Sequence, residues 1–363
     1  MRKQNLSQNL LYALTIFGCF ILLLIIFRLF HINIPFLELK QEIEYVKKKL
    51  NITIGVYVGN DPFHLKEPEG IANPVLTSAD VTDIEAEFVA DPFMVVYKNK
   101  WYMFFEVMNM RSGQGDIGLA TSPDGLHWEY QKIILDEPFH LSYPQIFLDE
   151  DTFYMIPESN RERFVNLYKA VNFPFEWQYE KTLLSGLAFT DSTIFTYDQR
   201  WWLFSETNPE KDDTLRLFSA DALRGPWKEH PQSPLIQGDE NIARPGGRIL
   251  QYDEKIFRVA QDDWPLYGNQ VRIFQITRLS LSEYIEHEIC ETPKLESEFS
   301  VSTGLIPPWR SDGIHHLDAY QTGKENWIVC VDGLSRNEMY KKRVLKFSIP
   351  FTRKKITSNT LLR

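Results

Sequence analysis

"DPFMVVYKNKWYMFFE" (Asp91–Glu106) opens on an acid, runs through apolar and aromatic residues, turns at a polar tip and closes on a second acid. "YPQIFLDEDTFYMIPE" (Tyr143–Glu158) and "DSTIFTYDQRWWLFSE" (Asp191–Glu206) repeat the unit in the same register. Two β-branched or aromatic runs around a short polar tip predict a β-hairpin. "GGRILQYDEKIFRVAQ" (Gly246–Gln261) is a fourth copy, and "HHLDAYQTGKENWIVCVD" (His315–Asp332) a fifth with a longer turn. The first three are followed by a third strand and a turn ending in tryptophan: "GLATSPDGLHW" to Trp128, "LYKAVNFPFEW" to Trp177 and "LFSADALRGPW" to Trp227. Copies start about 50 residues apart, with three or four strands each and no helical period between them, which is the pattern of propeller blades. Five copies predict an all-β, five-bladed β-propeller. A sandwich of unrelated hairpins would not share one register.

The repeat also predicts where the acids meet. In a blade the inner strand lines the channel and the next strand returns antiparallel beside it, so the start of one and the end of the other share a face. Strand starts then carry Asp91, Tyr143 and Asp191, with Arg244 or Gly246 and His315 or His316 in the later blades. Second-strand ends carry Glu106, Glu158, Glu206, Gln261 or Asp262, and Asp332. All should ring one mouth of the channel. Like charges held together raise one another's pKa and are costly unless used, for acid–base chemistry, hydroxyl recognition or a central cation. For Glu106 and Asp332 the reading is a lock onto neighbouring backbone amides; for Asp91 and Asp191 it is a site role. His140 and Tyr143 in "HLSYP" face the channel or serve structure, and "SPDGLHW" (Ser122–Trp128) is a structural turn.

A net charge of -10 argues against a nucleic-acid groove, which needs a basic surface. Aromatic residues make up 14% of the chain, which sheet cores and sugar-stacking platforms both use. Three cysteines are too few for a disulfide scaffold, and no Cys/His cluster suggests zinc; Cys290 and Cys330 read as buried thiols.

Leu11–Phe27 carries no charge, with Arg2 and Lys3 before it and only Arg28 close behind. This predicts a signal anchor over 11–30 and a single-pass membrane protein with its propeller on the non-cytosolic side. "ELKQEIEYVKKKL" (38–50) reads as a short amphipathic helix or stalk. The expected order is a tail at 1–10, the transmembrane helix at 11–30, a helical stalk or linker at 31–55, the propeller at 56–350 and a tail at 351–363. "NIT" at Asn51 is a glycosylation sequon.

"FVADPFMVVYKNKWYMFFE", "GDIGLATS", "LDEPFHLSYPQIF", "MIPES", "LYKAVNFPFEW", "DSTIF" and "ARPGGRIL" resemble the N-terminal domain of the plant glucosamine inositolphosphorylceramide transferase family, from Ile71 to Gly333. That domain is similar in fold to the five-bladed propellers of glycoside hydrolase family 43. In the plant proteins glycosyl transfer is associated with a separate C-terminal domain, for which this chain has no room; the resemblance implies a glycan or glycolipid context and a possible glycosyltransferase partner. Carried across by position, it implies that Asp91 is a base and that Asp191 orients the acid and tunes its pKa. The family's acid, a glutamate at the start of the fourth blade, is replaced by "ARPGG". A guanidinium cannot give up a proton at ordinary pH, so Glu158 or Glu206 would supply it. Arg244 suits an anionic group such as a uronate, phosphate or sulfate.

The expected catalytic residues are therefore Asp91, Asp191, Glu158 and Glu206. The expected binding residues are Arg244, Tyr143, His140, His316, Asp262 and Glu106, with Trp264 and Trp309 as stacking candidates. No cofactor is required, although a central divalent cation such as calcium near His315 or His316 is compatible with the resemblance. Two functions stay open: an inverting glycoside hydrolase-like enzyme, or a non-catalytic glycan- or glycolipid-binding propeller.

Overall fold

The structure, a computed structural model, describes residues 38–42, 50–290, 293–336 and 344–348. Chain contacts divide it into two units, one of Lys49–Asn337 and one of Met1–Lys48 with Glu338–Arg363. In the larger unit five separate sheets follow the five sequence copies as blades of a propeller, antiparallel except where Lys294–Glu296 pairs parallel with His64–Lys66. Blade one contains Ala86–Tyr97, Lys100–Asn109, Gln114–Ser122 and Glu129–Leu135. Blade two contains Ser142–Asp149, Thr152–Glu158, Phe164–Asn172 and Glu176–Ser185. Blade three starts with Thr190–Tyr197, Arg200–Glu206 and Thr214–Ala220, and blade four with Leu250–Tyr252, Lys255–Asp262 and Gln270–Leu279.

Blade five closes the ring with strands from both ends of the unit. Leu317–Gly323 and Asn326–Arg336 come from the C-terminal side, and Leu50–Gly59 pairs with Asn326–Arg336 from Leu50↔Arg336 to Gly59↔Trp327. The ladder hides both strand edges at once, so no open edge is left at the junction. The β-branched "LNITIGVYVG" is therefore a blade strand.

Each junction between blades has its own apolar core. Phe93, Phe104, Ile146 and Met155 join blades one and two; Ile156, Leu167, Ile194 and Leu203 join two and three. Phe204, Leu217, Ile249 and Ile256 join three and four; Val259, Val271, Leu317 and Val329 join four and five; Val56, Met94, Phe105 and Cys330 join five and one. Alternate residues of the inner strands thus serve one neighbour or the other, the period-2 pattern of a sheet covered on both faces. The tryptophans that close the first three repeats also play one part: Trp128, Trp177 and Trp227 donate Nε1–H to the carbonyls of Gly125, Pro174 and Leu223.

The N-terminal expectations require correction. Among the described residues no helix is long and apolar enough to cross a membrane. The 11–30 segment, like the tails at 1–10 and 351–363, lies outside the described residues. The helical stalk is replaced in part by a strand: Glu38–Glu42 pairs antiparallel with Val344–Ser348. A short charged stretch is too brief to nucleate a helix by itself, and a partner strand satisfies its backbone instead. With these features go the membrane partner and the non-cytosolic placement inferred from them.

Candidate functional site

The repeat brings its acids together by a shared backbone irregularity. The inner and second strands pair at Ala90↔Glu106, Ser142↔Glu158 and Thr190↔Glu206, and the register then slips before resuming at Phe93, Gln145 and Thr193. Within each slip one residue takes the left-handed conformation: Asp91 at φ 53°, Tyr143 at 43° and Asp191 at 47°. Such a φ costs a non-glycine residue about 1–2 kcal/mol, and recurrence in three blades marks it as part of the design.

At the junction of blades five and one, His315 stands between two carboxylates. Its Nε2 is 3.3 Å from Asp91 Oδ1 and its Nδ1 2.9 Å from Asp332 Oδ2, ion-pair distances that lie off the line of a good hydrogen bond. Asp332 accepts hydrogen bonds from the backbone N–H groups of Asp91, His315 and His316, so it locks the last blade to the first. Burial disfavours a charged ring at His315, but Asp332 and Asp91 outweigh it and raise its pKa well above 6.5. Burial likewise works against charge on Asp91, yet contact with His315 and its charge prevail and hold this carboxyl at about 2. Asp91 Oδ2 also accepts the Tyr143 N–H at 3.2 Å.

Asp91, His315 and Asp332 form the one group among the described residues whose potential metal-ligating atoms all lie within 4.8 Å of one another. Calcium takes six to eight oxygen ligands, whereas this group offers two carboxylates with an imidazole between them. The residues do not fit that ion.

Across the mouth, Asp191 is held by a fixed cation. Arg244 donates Nε–H to Asp191 Oδ2 at 2.6 Å and Nη1–H to Asp212 Oδ1 at 3.2 Å, and Gln261 donates Nε2–H to the same Asp191 oxygen at 2.6 Å. The guanidinium lies over the Tyr267 ring at 5.3 Å, and Tyr267 meets His315 at 5.0 Å, which links the two sides. Burial raises Asp191 to about 7 although Arg244 pulls it down, because Asp91 and Glu158 add repulsion. Glu206 is fully buried; its Oε1 accepts the Asn208 N–H, its Oε2 has no partner, and burial raises it to about 7.

The third group lies between blades one and two. Glu158 accepts hydrogen bonds from Ser142 Oγ at 2.6 Å and from the Asn160 N–H at 2.7 Å. Glu106 Oε1 is buried and accepts none, unlike Asp332, so the lock expected of both belongs to Asp332 alone. Burial, then repulsion from Asp91 and Glu158, raises Glu106 well above the usual carboxylate range. His140 Nε2 faces Glu106 Oε1 at 3.6 Å and Glu158 Oε2 at 4.0 Å.

Other expected residues have different surroundings. Tyr143 is fully buried, with its hydroxyl 2.8 Å from Thr193 Oγ1. His316 Nε2 bonds the Pro92 carbonyl at 3.0 Å, and its ring packs on Phe93 and Tyr143 in the channel wall. Asp262 accepts from Gln270 Nε2 at 3.0 Å, and its neighbour Gln261 reaches Asp191 instead. Trp309 is wedged against Gly55 and Gly333, where a Cβ would come within 2.4 and 2.2 Å of its ring; Trp264 stays 59% exposed. Cys330 is a free buried thiol.

Sequence reasoning missed Arg248. It donates to Asp318 Oδ1 at 2.8 Å and to the carbonyls of Ile146 and Met94 at 3.1 Å each, while Asp318 Oδ2 accepts the Met94 N–H at 2.7 Å. One side chain from the fourth blade thereby ties together the inner strands of blades one, two and five. An arginine four residues after Arg244, in a stretch expected to line the channel, was the available signal.

The family model described as glucosamine inositolphosphorylceramide transferase 1, N-terminal, matches residues 48–334. A protein named glucosamine inositolphosphorylceramide transferase 1 from Oryza sativa subsp. japonica is 36% identical over 306 residues, which cover 77% of this chain and 39% of that protein. Its namesake from Arabidopsis thaliana is 35% identical over 318 residues, covering 82% and 41%. The chain thus spans about two fifths of the length of these curated relatives. Among solved structures, the catalytic domain of a Coprinopsis cinerea GH62 α-L-arabinofuranosidase superimposes with a TM-score of 0.55 at 12% identity, covering 80% of this chain and 94% of that one. At that identity the likeness concerns the fold alone.

Proposed function

The chain belongs to the family of the glucosamine inositolphosphorylceramide transferase N-terminal domain, and on that premise we propose that its channel mouth is a carbohydrate-active site for a glycan or glycolipid head group. The observation that carries the reading is three buried carboxyls at one mouth with unlike partners: Asp91 faces His315, Asp191 is bound by Arg244, and Glu106 Oε1 has no donor. His315 lowers Asp91 to about 2 against its burial, burial raises Asp191 to about 7 against the pull of Arg244, and burial with acidic neighbours raises Glu106 well above the usual carboxylate range. Environments that push carboxyl pKa values apart assign acid and base roles in glycosidic-bond chemistry. In this reading Asp91 orients and activates water, and Asp191 with Arg244 grips the sugar. Glu158, whose oxygens already accept from Ser142 and Asn160, receives sugar hydroxyls.

One feature favours a second reading, binding without turnover. Arg244 occupies the place where the resemblance to family 43 calls for an acid, and a guanidinium recognises anions but donates no proton to a leaving group. The deciding experiment screens the full chain and Asp191→Ala against aryl glycosides and a panel of neutral and anionic glycans. Turnover lost in the variant supports the enzyme. Saturable binding without turnover in the unmodified chain supports the lectin-like reading, and neither binding nor turnover on any sugar removes both.

A further inference from the structure

We propose that Glu106 is the proton donor of this site and that His140 is the positioning residue that steadies the carboxylate it leaves behind; the inference rests on the carbohydrate-active reading above. Glu106 sits near the end of the second strand of blade one, and His140 lies in the connection to blade two. His140 Nδ1 accepts the Gly115 N–H at 2.8 Å, so the neutral ring carries its proton on Nε2. That nitrogen is the one facing Glu106 Oε1 at 3.6 Å and Glu158 Oε2 at 4.0 Å. A nitrogen that bears a proton cannot ligate a metal, which excludes a two-glutamate, one-histidine metal centre in this tautomer. Both distances exceed a hydrogen bond, as catalytic contacts often do before a ligand tightens them.

The close approach needs a glycine. A Cβ on Gly115 would lie 2.4 Å from the Leu141 carbonyl oxygen, 2.6 Å from Glu106 Oε1 and 2.9 Å from His140 Cε1, so any larger residue would part the imidazole from the acid. The two glutamates of the group are also unequal. Glu158 already has the Ser142 hydroxyl and the Asn160 N–H on its oxygens. Glu106 Oε1 has no donor and is enclosed. The charged groups acting on it are Asp91, Glu158 and Asp191, which repel, and His315, which attracts; burial and repulsion prevail. A cavity of about 260 Å³, lined by Gln114, Phe139, His140, Ser159 and Arg161 among others, opens on the His140 side of the pair.

In the step, the Glu106 O–H bond breaks and its proton passes to the glycosidic oxygen. The bond from that oxygen to the anomeric carbon breaks, with its electron pair staying on oxygen. Water adds to the anomeric carbon and loses a proton to the ionised Asp91. Glu106 ends as a carboxylate facing the His140 Nε2–H, which can then form a charge-assisted hydrogen bond.

The test uses the full chain and two readouts. The first needs no substrate: the infrared C=O band of protonated carboxyls at neutral pH, to which Asp191 and Glu206 also contribute, should lose one carboxyl's intensity in Glu106→Gln and keep it in Glu158→Gln. A band unchanged in Glu106→Gln overturns the assignment whatever the turnover. The second is the pH profile of kcat/KM on whichever glycan of the panel is turned over. Without the Nε2–H the Glu106 carboxylate is less stable, so His140→Ala should move the alkaline limb upward by about one pH unit, a tenfold change in proton affinity. His140→Gln, which keeps an N–H donor, should restore it. An unmoved limb overturns the role of His140, since a merely structural residue would lower activity without shifting the profile. Absence of turnover by the unmodified chain on every glycan overturns the catalytic reading itself, even with the infrared result intact.

Discussion

Arg248 and Asp318 face each other within the channel, a few residues along the inner strands from the mouth where Asp91, Glu106 and Asp191 gather. Inside, charge and hydrogen bonding are matched. Asp318 receives the guanidinium and the Met94 N–H, and the remaining Arg248 donors find carbonyls of two other blades. At the mouth, carboxyls outnumber cations, and Asp91 Oδ1, Glu106 Oε1 and Glu206 Oε2 are buried without hydrogen-bond partners. Buried polar groups are normally satisfied, so the orphans call for an explanation that the matched pair does not. The inner pair holds the ring together; the mouth keeps buried carboxyl oxygens that the described residues leave without a donor.

Breaking the inner pair should have the largest effect. Arg248→Ala leaves Asp318 without its cation, and the urea unfolding midpoint should report a loss of about 3 kcal/mol. Arg248 keeps 24% of its side chain accessible, which places the cost at the lower end for a buried pair. An unchanged midpoint would remove the contrast drawn here.

The pH dependence of stability should then follow the mouth. Asp191 and Glu206 have folded pKa values raised from 3.8 and 4.5 to about 7. Their contribution is fully present below the unfolded values and is lost as pH rises through about 7. Asp91, lowered from 3.8 to about 2, contributes above 3.8 and loses that contribution as pH falls toward 2. Unfolding midpoints should therefore decline from pH 4 to pH 8, and Asp191→Asn should flatten the decline. A variant with the same slope as the unmodified chain would contradict the assignment.

Smaller still is the expected effect at Arg244. Arg244→Gln should weaken an anionic glycan about tenfold by calorimetry while neutral sugars change little, because the charge-assisted contact alone is lost. Equal losses for both classes would assign Arg244 to holding Asp191 only. The least effect belongs to Glu106→Gln, where an amide replaces a carboxyl whose pKa is raised by burial and its acidic neighbours. Its stability cost should stay below about 1 kcal/mol in the same urea assay, against the larger cost at Arg248.

Much of this ring was legible in advance. Hairpin period and turn tips are local properties, so the five copies and the pairing of Asp91, Asp191 and Tyr143 with second-strand glutamates could be read from spacing. The left-handed backbone at those strand starts could not, since neither Asp-Pro nor Tyr-Pro signals it. His140 was visible only as a polar residue before a strand; its tautomer depends on Gly115, which belongs to a different strand. The linker expected at 31–55 takes in the first six residues of the strand Leu50–Gly59, because a closing strand is identified by its partner, Asn326–Arg336, and not by its own residues. The charged stretch at 38–50 misled for the same reason: its helical pattern was judged without the strand that pairs with Glu38–Glu42.

Residue order by itself determined the blade, the number of blades and the set of side chains delivered to one face, because strand alternation and turn chemistry act between near neighbours. Only the closed ring decided which carboxyl meets His315, which meets Arg244 and which meets no donor at all. Those partners come from different blades, and a pKa in a buried mouth depends on through-space neighbours and lost water, neither of which is written in adjacent residues.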